Sequence, residues 1–266
     1  MSKRPLILVT NDDGITAKGI AALVNAAAPL GELVIVAPDS PQSAQGHALT
    51  IESPVFVKES EAFPEFEAYE CSGTPVDCVK LAKSILLKGR TPDLCVSGIN
   101  HGSNASINIL YSGTLSAAME ASIEGIPSIG FSLLDYKANA DFSAAEIIAS
   151  QLMRDVLQNG MPDGHLYNVN IPKLPIQDIQ GIKVCRQAEA HWTEEYAAGQ
   201  DPRGRTYYWL TGKFVNEDRR PDTDVAALDS GYVSLVPSNH QLTNEKALGI
   251  LQEQADRFQL TEKTTL

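Results

Sequence analysis

The hydrophobic and polar positions of the chain alternate between short apolar runs and amphipathic stretches. A continuous apolar run over residues 6–10 is followed by a helix-like stretch over 18–28 and by a second apolar run over 33–37. Short continuous apolar runs are typical of central strands that are covered on both faces. A strand, a helix and a strand in this order predict a βαβ unit, and such units build parallel sheets.

The same alternation continues to about residue 172. It predicts further helices over 75–87, 114–123 and 142–157, and further strands over 94–97, 127–133 and 166–171. This pattern indicates a doubly wound α/β core, with helices on both faces of a mostly parallel sheet.

The C-terminal part of the chain has a different pattern. Residues 173–236 lose the alternation and contain short β-like runs over 206–210 and 232–236. We therefore expect a β-rich C-terminal extension, followed by a terminal helix over 245–258.

The composition is that of an ordinary globular protein, and we expect a cytoplasmic one. Hydrophobic residues make up 43% of the 266 residues and charged residues 20%, although this length alone does not decide between one domain and two. The N-terminal apolar stretch is too short for a secretory segment, and no run approaches the length of a membrane span. The four cysteines lack the spacing of a zinc site, so we expect free thiols.

The charge of the chain limits its partners. A net charge of −12 argues against binding to nucleic-acid polymers, because such binding relies on basic side chains that neutralise phosphates. An acidic protein that holds a phosphate substrate needs a local positive charge, and a bound metal ion is the simplest source.

The loop after the first predicted strand contains Asn11, Asp12, Asp13 and Gly14. Ligands of open parallel sheets bind beyond the carboxyl ends of the strands, where this loop lies. Two adjacent carboxylates repel each other unless a cation lies between them, and Mg²⁺ prefers oxygen ligands of this kind. A solvated turn explains the same residues equally well, since Asn, Asp and Gly all favour turns.

Two further loops after predicted strands offer oxygen and amide groups. The second loop carries Asp39, Ser43 and His47, and His47 could act as an acid, a base or a phosphate contact. The third loop carries Asn100 and Asn104. The carbonyl oxygen of Asn100 could bind a metal, and the amide of Asn104 could donate to a phosphate oxygen.

Two predicted helices begin with capping residues. The start at Ser112, Gly113 and Thr114 presents free N–H groups and the positive end of the helix dipole, which can hold an anion without Lys or Arg. An ordinary N-cap explains Ser112 or Thr114 equally well. At the other start, Thr74 and Asp77 form a capping-box pattern, for which a structural role is favoured. The three loops and the start at Ser112 together are typical of a metal-assisted phosphate site.

Several segments match the motifs of one known family in the same order. The segments are residues 9–15, 37–39, 43–47, 72–79, 96–104 and 112–114, with looser matches at 207–209, 222–224, 231–234 and 242–243. They resemble the SurE survival-protein nucleotidases, and so many motifs in register make the resemblance specific. It implies one domain over residues 1–266, with a Rossmann-like core over about 1–172 and the C-terminal extension over about 173–266.

The resemblance also implies a role for each candidate side chain. One divalent ion per subunit, Mg²⁺ or Mn²⁺, would be bound by Asp12, Asp13, Ser43 and Asn100, with the two aspartates as the catalytic residues. The phosphate would be held by Asn104, Ser112, Gly113 and Thr114. Asn11 and His47 would contact the substrate or act as acid or base.

The implied activity is that of a 5′-nucleotidase, a phosphoric monoester hydrolase acting on nucleoside 5′- and 3′-monophosphates and on short polyphosphate. A metal-bound water would attack the phosphate, and Asp12 could instead act as the base on that water. A covalent aspartyl-phosphate is less favoured, since two acids committed to a metal leave no free nucleophile. The resemblance further implies a homodimer or homotetramer with exchanged C-terminal segments.

Three other functions are weighed against this one. Haloacid-dehalogenase-like phosphatases also place an aspartate after the first strand, but their two acids are separated by one residue, whereas Asp12 and Asp13 are adjacent. A nucleotide-binding regulatory module without turnover lacks the support of a Gly-rich dinucleotide fingerprint or a P-loop. A stress-related interaction protein does not explain the inventory of metal ligands.

Overall fold

The centre of the molecule is a nine-stranded sheet, seen in a computed structural model that describes residues 4–162, 166–193 and 195–258. The strands of this sheet are β1 (Leu6–Thr10), β2 (Glu32–Pro38), β3 (Val57–Glu59), β4 (Glu67–Cys71), β5 (Leu94–His101), β6 (Ser128–Leu133), β7 (Leu166–Ile171), β8 (Ile182–Val184) and β13 (Val233–Ser238). Their order across the sheet is β3-β4-β2-β1-β5-β6-β7-β13-β8. The strands from β4 to β7 in this order are parallel, whereas β3 and β13 run antiparallel to β4 and β7.

Helices cover both faces of this sheet. The helices in the described ranges are α1 (Lys18–Ala27), α2 (Pro75–Leu81), α3 (Gly113–Ile123), α4 (Ser143–Asn159), α5 (Asp224–Asp229) and α6 (Glu245–Glu253), of which α6 has no buried residue. Helices α1 and α4 pack together on one face, and α2 and α3 pack together on the other. The predicted doubly wound α/β architecture is therefore confirmed. None of the helices in the described ranges has the length and apolar character needed to cross a membrane.

Strand β1 shows why the short apolar runs become central strands. All five of its residues are buried. Ile7 and Val9 pack in the cluster formed with α1 and α4, while Leu6 and Leu8 pack in the cluster formed with α2 and α3. Because successive side chains of a strand point to opposite faces, an apolar run without alternation buries both faces. Each such side chain contributes about 1.5–3 kcal/mol through burial.

The C-terminal residues contribute more to the sheet than their sequence indicates. Strands β8 and β13 complete its far edge, so the sheet does not end near residue 172. Strand β13 pairs with β7 and covers backbone groups that would otherwise be exposed at an edge. The other C-terminal strands form two separate pairs, β9 (Ala190–Trp192) with β12 (Phe214–Asn216) and β10 (Glu195–Gln200) with β11 (Thr206–Thr211).

Three predicted elements differ from the structure by more than two residues at one end. The helix predicted over 75–87 is α2 only to Leu81 and continues as a π-helical turn over Ala82–Leu86. The strand predicted over 94–97 extends to His101 through an irregularity between Ser97 and Asn100. The helix predicted over 245–258 ends at Glu253 and is followed by a 3₁₀ turn over Ala255–Phe258. The two short strands β3 and β4 and the helix α5 were not predicted.

Candidate metal and phosphate site

The three polar segments singled out in the sequence lie at the carboxyl ends of three neighbouring parallel strands, although Asn100 is within β5 rather than in a loop after it. Strand β1 lies between β2 and β5 in the sheet, and all three run in the same direction. Their carboxyl ends therefore meet at one edge of the sheet, where ligands of such sheets bind. The start of helix α3 reaches the same edge, because Thr114 and Gly113 contact Asp12.

Asp12 lies at the centre of this edge. The residue is only 4% exposed, and its carboxylate accepts a hydrogen bond from the hydroxyl of Thr114. The same hydroxyl oxygen lies 3.4 Å from Oδ1 of Asn100. A Cβ atom on Gly113 would lie 2.7 Å from Cβ of Asp12, which is closer than van der Waals contact allows. Glycine at this position therefore lets helix α3 approach the carboxylate.

The environment of Asp12 opposes its negative charge. Burial, opposed by the hydrogen bond from Thr114 and aided by the neighbouring Asp13, raises the pKa of Asp12 to about 6. Burial also raises the pKa of Asp13, and the nearby His101 opposes that shift. A divalent cation between the two carboxylates would stabilise their ionised forms, so their chemistry fits such an ion.

Asn100 presents its side-chain oxygen to the site. Its Nδ2 donates to the carbonyl oxygens of His101 and Gly102, at 3.2 and 3.1 Å. Because the amide nitrogen is held by two acceptors, Oδ1 is directed towards Thr114 and Asp12. This orientation is the one that a metal ligand requires.

Ser43 lies in the long loop that follows β2. The backbone N–H of Gln42 donates to the carbonyl oxygen of Asp12 at 2.7 Å, so the loop passes next to the site. Ser43 itself is exposed. Asp39, at the start of the loop, is also exposed and accepts a hydrogen bond from Ser40.

The candidate phosphate residues are engaged in hydrogen bonds of their own. The hydroxyl of Ser112 caps helix α3 by accepting from the N–H of Leu115 at 3.1 Å. The hydroxyl of Thr114 donates to Asp12. The start of α3 therefore holds the Asp12 carboxylate, an anion, as its dipole and free N–H groups allow. Its predicted contact with phosphate stays a prediction.

Asn104 belongs to a buried polar network. Its Nδ2 donates to Ser132 Oγ at 2.8 Å, and its backbone N–H donates to Oδ1 of Asn170 at 2.8 Å. Asn168 donates in turn to the backbone carbonyl of Asn104 at 2.9 Å. Sequence reasoning missed these partners, since they come from β6 and β7 and have no motif of their own. The network holds Asn104 at the edge of the site.

His47 and Asn11 have partners that the sequence did not indicate. His47 Nε2 lies 2.8 Å from Oε2 of Glu120, so the imidazole is paired with a buried carboxylate of α3. Asn11 donates to the carbonyl oxygen of Gly14 at 2.9 Å, while its buried Oδ1 has no hydrogen-bond partner among the described residues.

The capping box at Thr74 and Asp77 is confirmed. Thr74 accepts a hydrogen bond from the N–H of Asp77, and Asp77 accepts from the N–H of Thr74. Both residues also bind the loop that carries Ser43, through the carbonyl oxygen of Ala48 and the N–H of Thr50. The motif therefore has a structural role that extends to this loop.

The donor set limits which metal would fit. The described residues contain no group of three or more His, Cys, Asp or Glu side chains that could hold an ion. The available donors are the two carboxylates with amide and hydroxyl oxygens, which suit Mg²⁺ or Mn²⁺ better than Zn²⁺.

Comparisons with known proteins show what the whole chain is similar to. A family model described as survival protein SurE matches residues 7–194. The chain is 60% identical over 246 residues to the 5′-nucleotidase SurE of Christiangramia forsetii, covering 91% of this chain and 93% of that protein. It is 45% identical over 243 residues to the 5′-nucleotidase SurE of Bacteroides fragilis, covering 91% and 94%. The crystal structure of the SurE protein from Aquifex aeolicus superposes with a TM-score of 0.82 at 38% identity, covering 95% of this chain and 100% of that one.

Proposed function

The chain belongs to the SurE family, and we propose that it is a 5′-nucleotidase that hydrolyses nucleoside monophosphates with a divalent metal ion at Asp12. The observation that carries this proposal is the convergence of Asp12, Asn100 and Thr114 at the carboxyl edge of the sheet. This edge is where open α/β sheets bind their ligands.

The proposal assigns the metal to four oxygen ligands. Asp12, Asp13 and Asn100 would supply three oxygen ligands, and Ser43 would add a fourth from the loop beside Asp12. When bound, Mg²⁺ or Mn²⁺ would supply positive charge at the phosphate and lower the pKa of a bound water.

The residues around the ligands orient the site. Thr114 holds Asp12 through its hydroxyl, and the carbonyl oxygens of His101 and Gly102 hold the Asn100 amide. Asn104 and the start of α3 would hold the phosphoryl oxygens through N–H groups, which suits a protein with a net charge of −12. Such donors stabilise the charge of the transition state without a basic side chain.

The range of substrates is part of the same proposal. Nucleoside 5′-monophosphates are the expected substrates, because relatives of 60% and 45% identity are named 5′-nucleotidase. Nucleoside 3′-monophosphates and short polyphosphate present the same terminal phosphate to the site, and we expect turnover of these as well.

The hairpin of β10 and β11 supports a homo-oligomer. Its aromatic and aliphatic side chains are exposed, including Tyr196 at 63%, Tyr208 at 65%, Trp209 at 68% and Leu210 at 69%. An isolated two-stranded hairpin is only marginally stable in water, and an exposed apolar patch of this kind marks an interaction surface. We infer a homodimer or homotetramer in which subunits exchange C-terminal segments.

A cytoplasmic location is also part of the proposal. Its support is that Cys71, Cys78, Cys95 and Cys185 are all free. Unpaired cysteines are typical of a reducing compartment.

Phosphate release from a panel of nucleoside 5′- and 3′-monophosphates tests the proposal, with EDTA, Mg²⁺ or Mn²⁺ added. We expect release that requires the metal, and loss of turnover in Asp12→Asn with the fold retained. Nucleotide binding without release under any metal would instead identify the chain as a non-catalytic nucleotide-binding module.

A further inference from the structure

We call residues 39–56, between β2 and β3, the site loop, because they include Ser43 and pass next to Asp12. It is bound to the rest of the chain by backbone contacts at several points. The N–H of Gln42 donates to the carbonyl of Asp12 at 2.7 Å, and the N–H of Gly46 donates to the carbonyl of Tyr111 at 3.2 Å. Most of its remaining residues are exposed, so its position depends on these few attachments.

Two helices supply further attachments of the site loop. At the start of α2, Thr74 donates to the carbonyl of Ala48 at 2.7 Å, and Asp77 accepts from the N–H of Thr50 at 3.2 Å. On α3, the partner is Glu120, whose Oε2 lies 2.8 Å from Nε2 of His47.

Glu120 is a buried carboxylate that the proposed chemistry does not use. Its side chain is 5% exposed, and it bridges His47 on the site loop and Lys80 on α2, at 2.8 and 2.5 Å. Hydrogen bonding to His47, opposed by burial and aided by Lys80, keeps the pKa of Glu120 below its usual value. A buried charge is costly when it loses a partner, so release of the site loop would leave Glu120 with Lys80 alone.

We propose that Glu120 is a positioning residue, which through His47 holds the site loop against α2 and α3 and thereby places Ser43 beside Asp12. The claim about Ser43 rests on the proposed metal site, whereas the claim about the loop does not. The His47–Glu120 pair spans 73 residues of sequence and joins the site loop to the helix that begins at Gly113 and Thr114. The position of the site loop is therefore linked, through helix α3, to the residues at the start of that helix.

Amide hydrogen exchange measures the opening of the site loop directly. The amides of Gln42, Gly46 and Thr50 are hydrogen-bonded in the closed loop and become free to exchange when it opens. We expect His47→Ala to lower the protection of peptides covering the loop by about tenfold, in line with the loss of a hydrogen bond to a charged group, and Glu120→Gln, which leaves at most a neutral hydrogen bond, to lower it as well. The His47 side chain is one-third exposed, so its replacement tests the proposal even where Glu120→Gln does not fold.

Lys80→Met is the matched control. It removes the other partner of Glu120 but no direct contact to the site loop. We expect loop protection in Lys80→Met to stay within about twofold of the wild-type value. The double variant Glu120→Gln/His47→Ala should lose no more protection than His47→Ala alone, as for two residues acting through one contact.

The metal affinity of the same variants tests the link to Ser43. Titration with Mn²⁺, followed by the electron paramagnetic resonance of the free ion, should give a dissociation constant about tenfold higher for His47→Ala than for wild type, and a change in the same direction for Glu120→Gln. At saturating Mn²⁺, kcat of Glu120→Gln should remain within about twofold of wild type, because Glu120 does not touch the substrate in this assignment.

Three results would overturn the positioning role: unchanged loop protection in both single variants, equal loss in Lys80→Met, or additive losses in the double variant. An unchanged Mn²⁺ affinity despite an opened loop would overturn the placement of Ser43. Wild-type protein that neither binds Mn²⁺ nor releases phosphate would refute the proposed function instead, and hydrogen exchange would still decide the role of Glu120 in the loop.

Discussion

Replacement of Gly113 by alanine should impair the site while leaving the fold stable. A Cβ atom at this position would lie 2.7 Å from Cβ, 2.9 Å from Oδ2 and 3.1 Å from Cγ of Asp12. Gly113 is the first residue of helix α3, where alanine has no backbone strain and a better helix propensity than glycine. The steric cost therefore falls on the Asp12 side chain.

The size of the effect follows from these distances. Ordinary contact between two carbon atoms begins near 3.4 Å, so Asp12 or the helix start must move by about 0.7 Å. Displacements approaching 1 Å at a reacting group cost up to about a hundredfold in rate. We expect kcat/KM for nucleoside 5′-monophosphate to fall by about tenfold to a hundredfold in Gly113→Ala, with weaker Mn²⁺ binding.

The assay is metal-dependent phosphate release, combined with thermal and urea unfolding in EDTA. Gly249→Ala is the matched control, because Gly249 also lies in a helix, α6, and a Cβ there meets nothing within 4 Å. That variant should keep wild-type activity. Activity of Gly113→Ala within about twofold of wild type would refute the steric argument. Unfolding of this variant would show that the steric clash destabilises helix α3 rather than displacing the Asp12 side chain.

Three further predictions concern other parts of the molecule. In EDTA, the pKa of Asp12 is about 6 in the folded protein, compared with an ordinary value of 3.8. The folded state therefore binds this proton more tightly than the unfolded state. Stability should therefore fall by roughly 3 kcal/mol as the pH rises from about 4 through 6, and urea unfolding of Asp12→Asn should lack this loss. Asp224→Ala should cost about 2–4 kcal/mol in urea, because the buried N–H groups of Ser106 and Ala188 lose their acceptor; a loss below about 1 kcal/mol would contradict this. Trp209→Ser should shift light-scattering mass towards the monomer, since it removes an exposed aromatic side chain of the hairpin, and an unchanged mass would argue against the hairpin as an interface.

The α/β core and the location of the candidate site were predictable from the sequence. Buried central strands need apolar side chains on both faces, which leaves an unbroken run such as Leu6–Thr10. Polar residues directly after such runs must lie at the carboxyl edge of the sheet, so Asp12, Asp13 and Asn100 could be assigned to one site before any coordinates were known.

The short C-terminal strands were less accessible to sequence reasoning. Strand β8 has three residues and is too short to show a periodicity. Its place beside β13 is decided by the unpaired edge that β13 offers, a property of the assembled sheet rather than of the segment. Strand β3 is equally short. Strand β4 has five residues like β1, but Glu67 and Glu70 interrupt the apolar run that identified β1.

The elements of the core and the edge where polar groups collect follow from local patterns of burial, which can be read along the chain. The contacts between side chains at that edge follow from the three-dimensional packing. Thr114 holds Asp12 across 102 residues of sequence, and Glu120 holds His47 across 73. Such pairs depend on the packing of α3 against the sheet, which brings distant residues within hydrogen-bond distance and leaves no pattern in the chain between them.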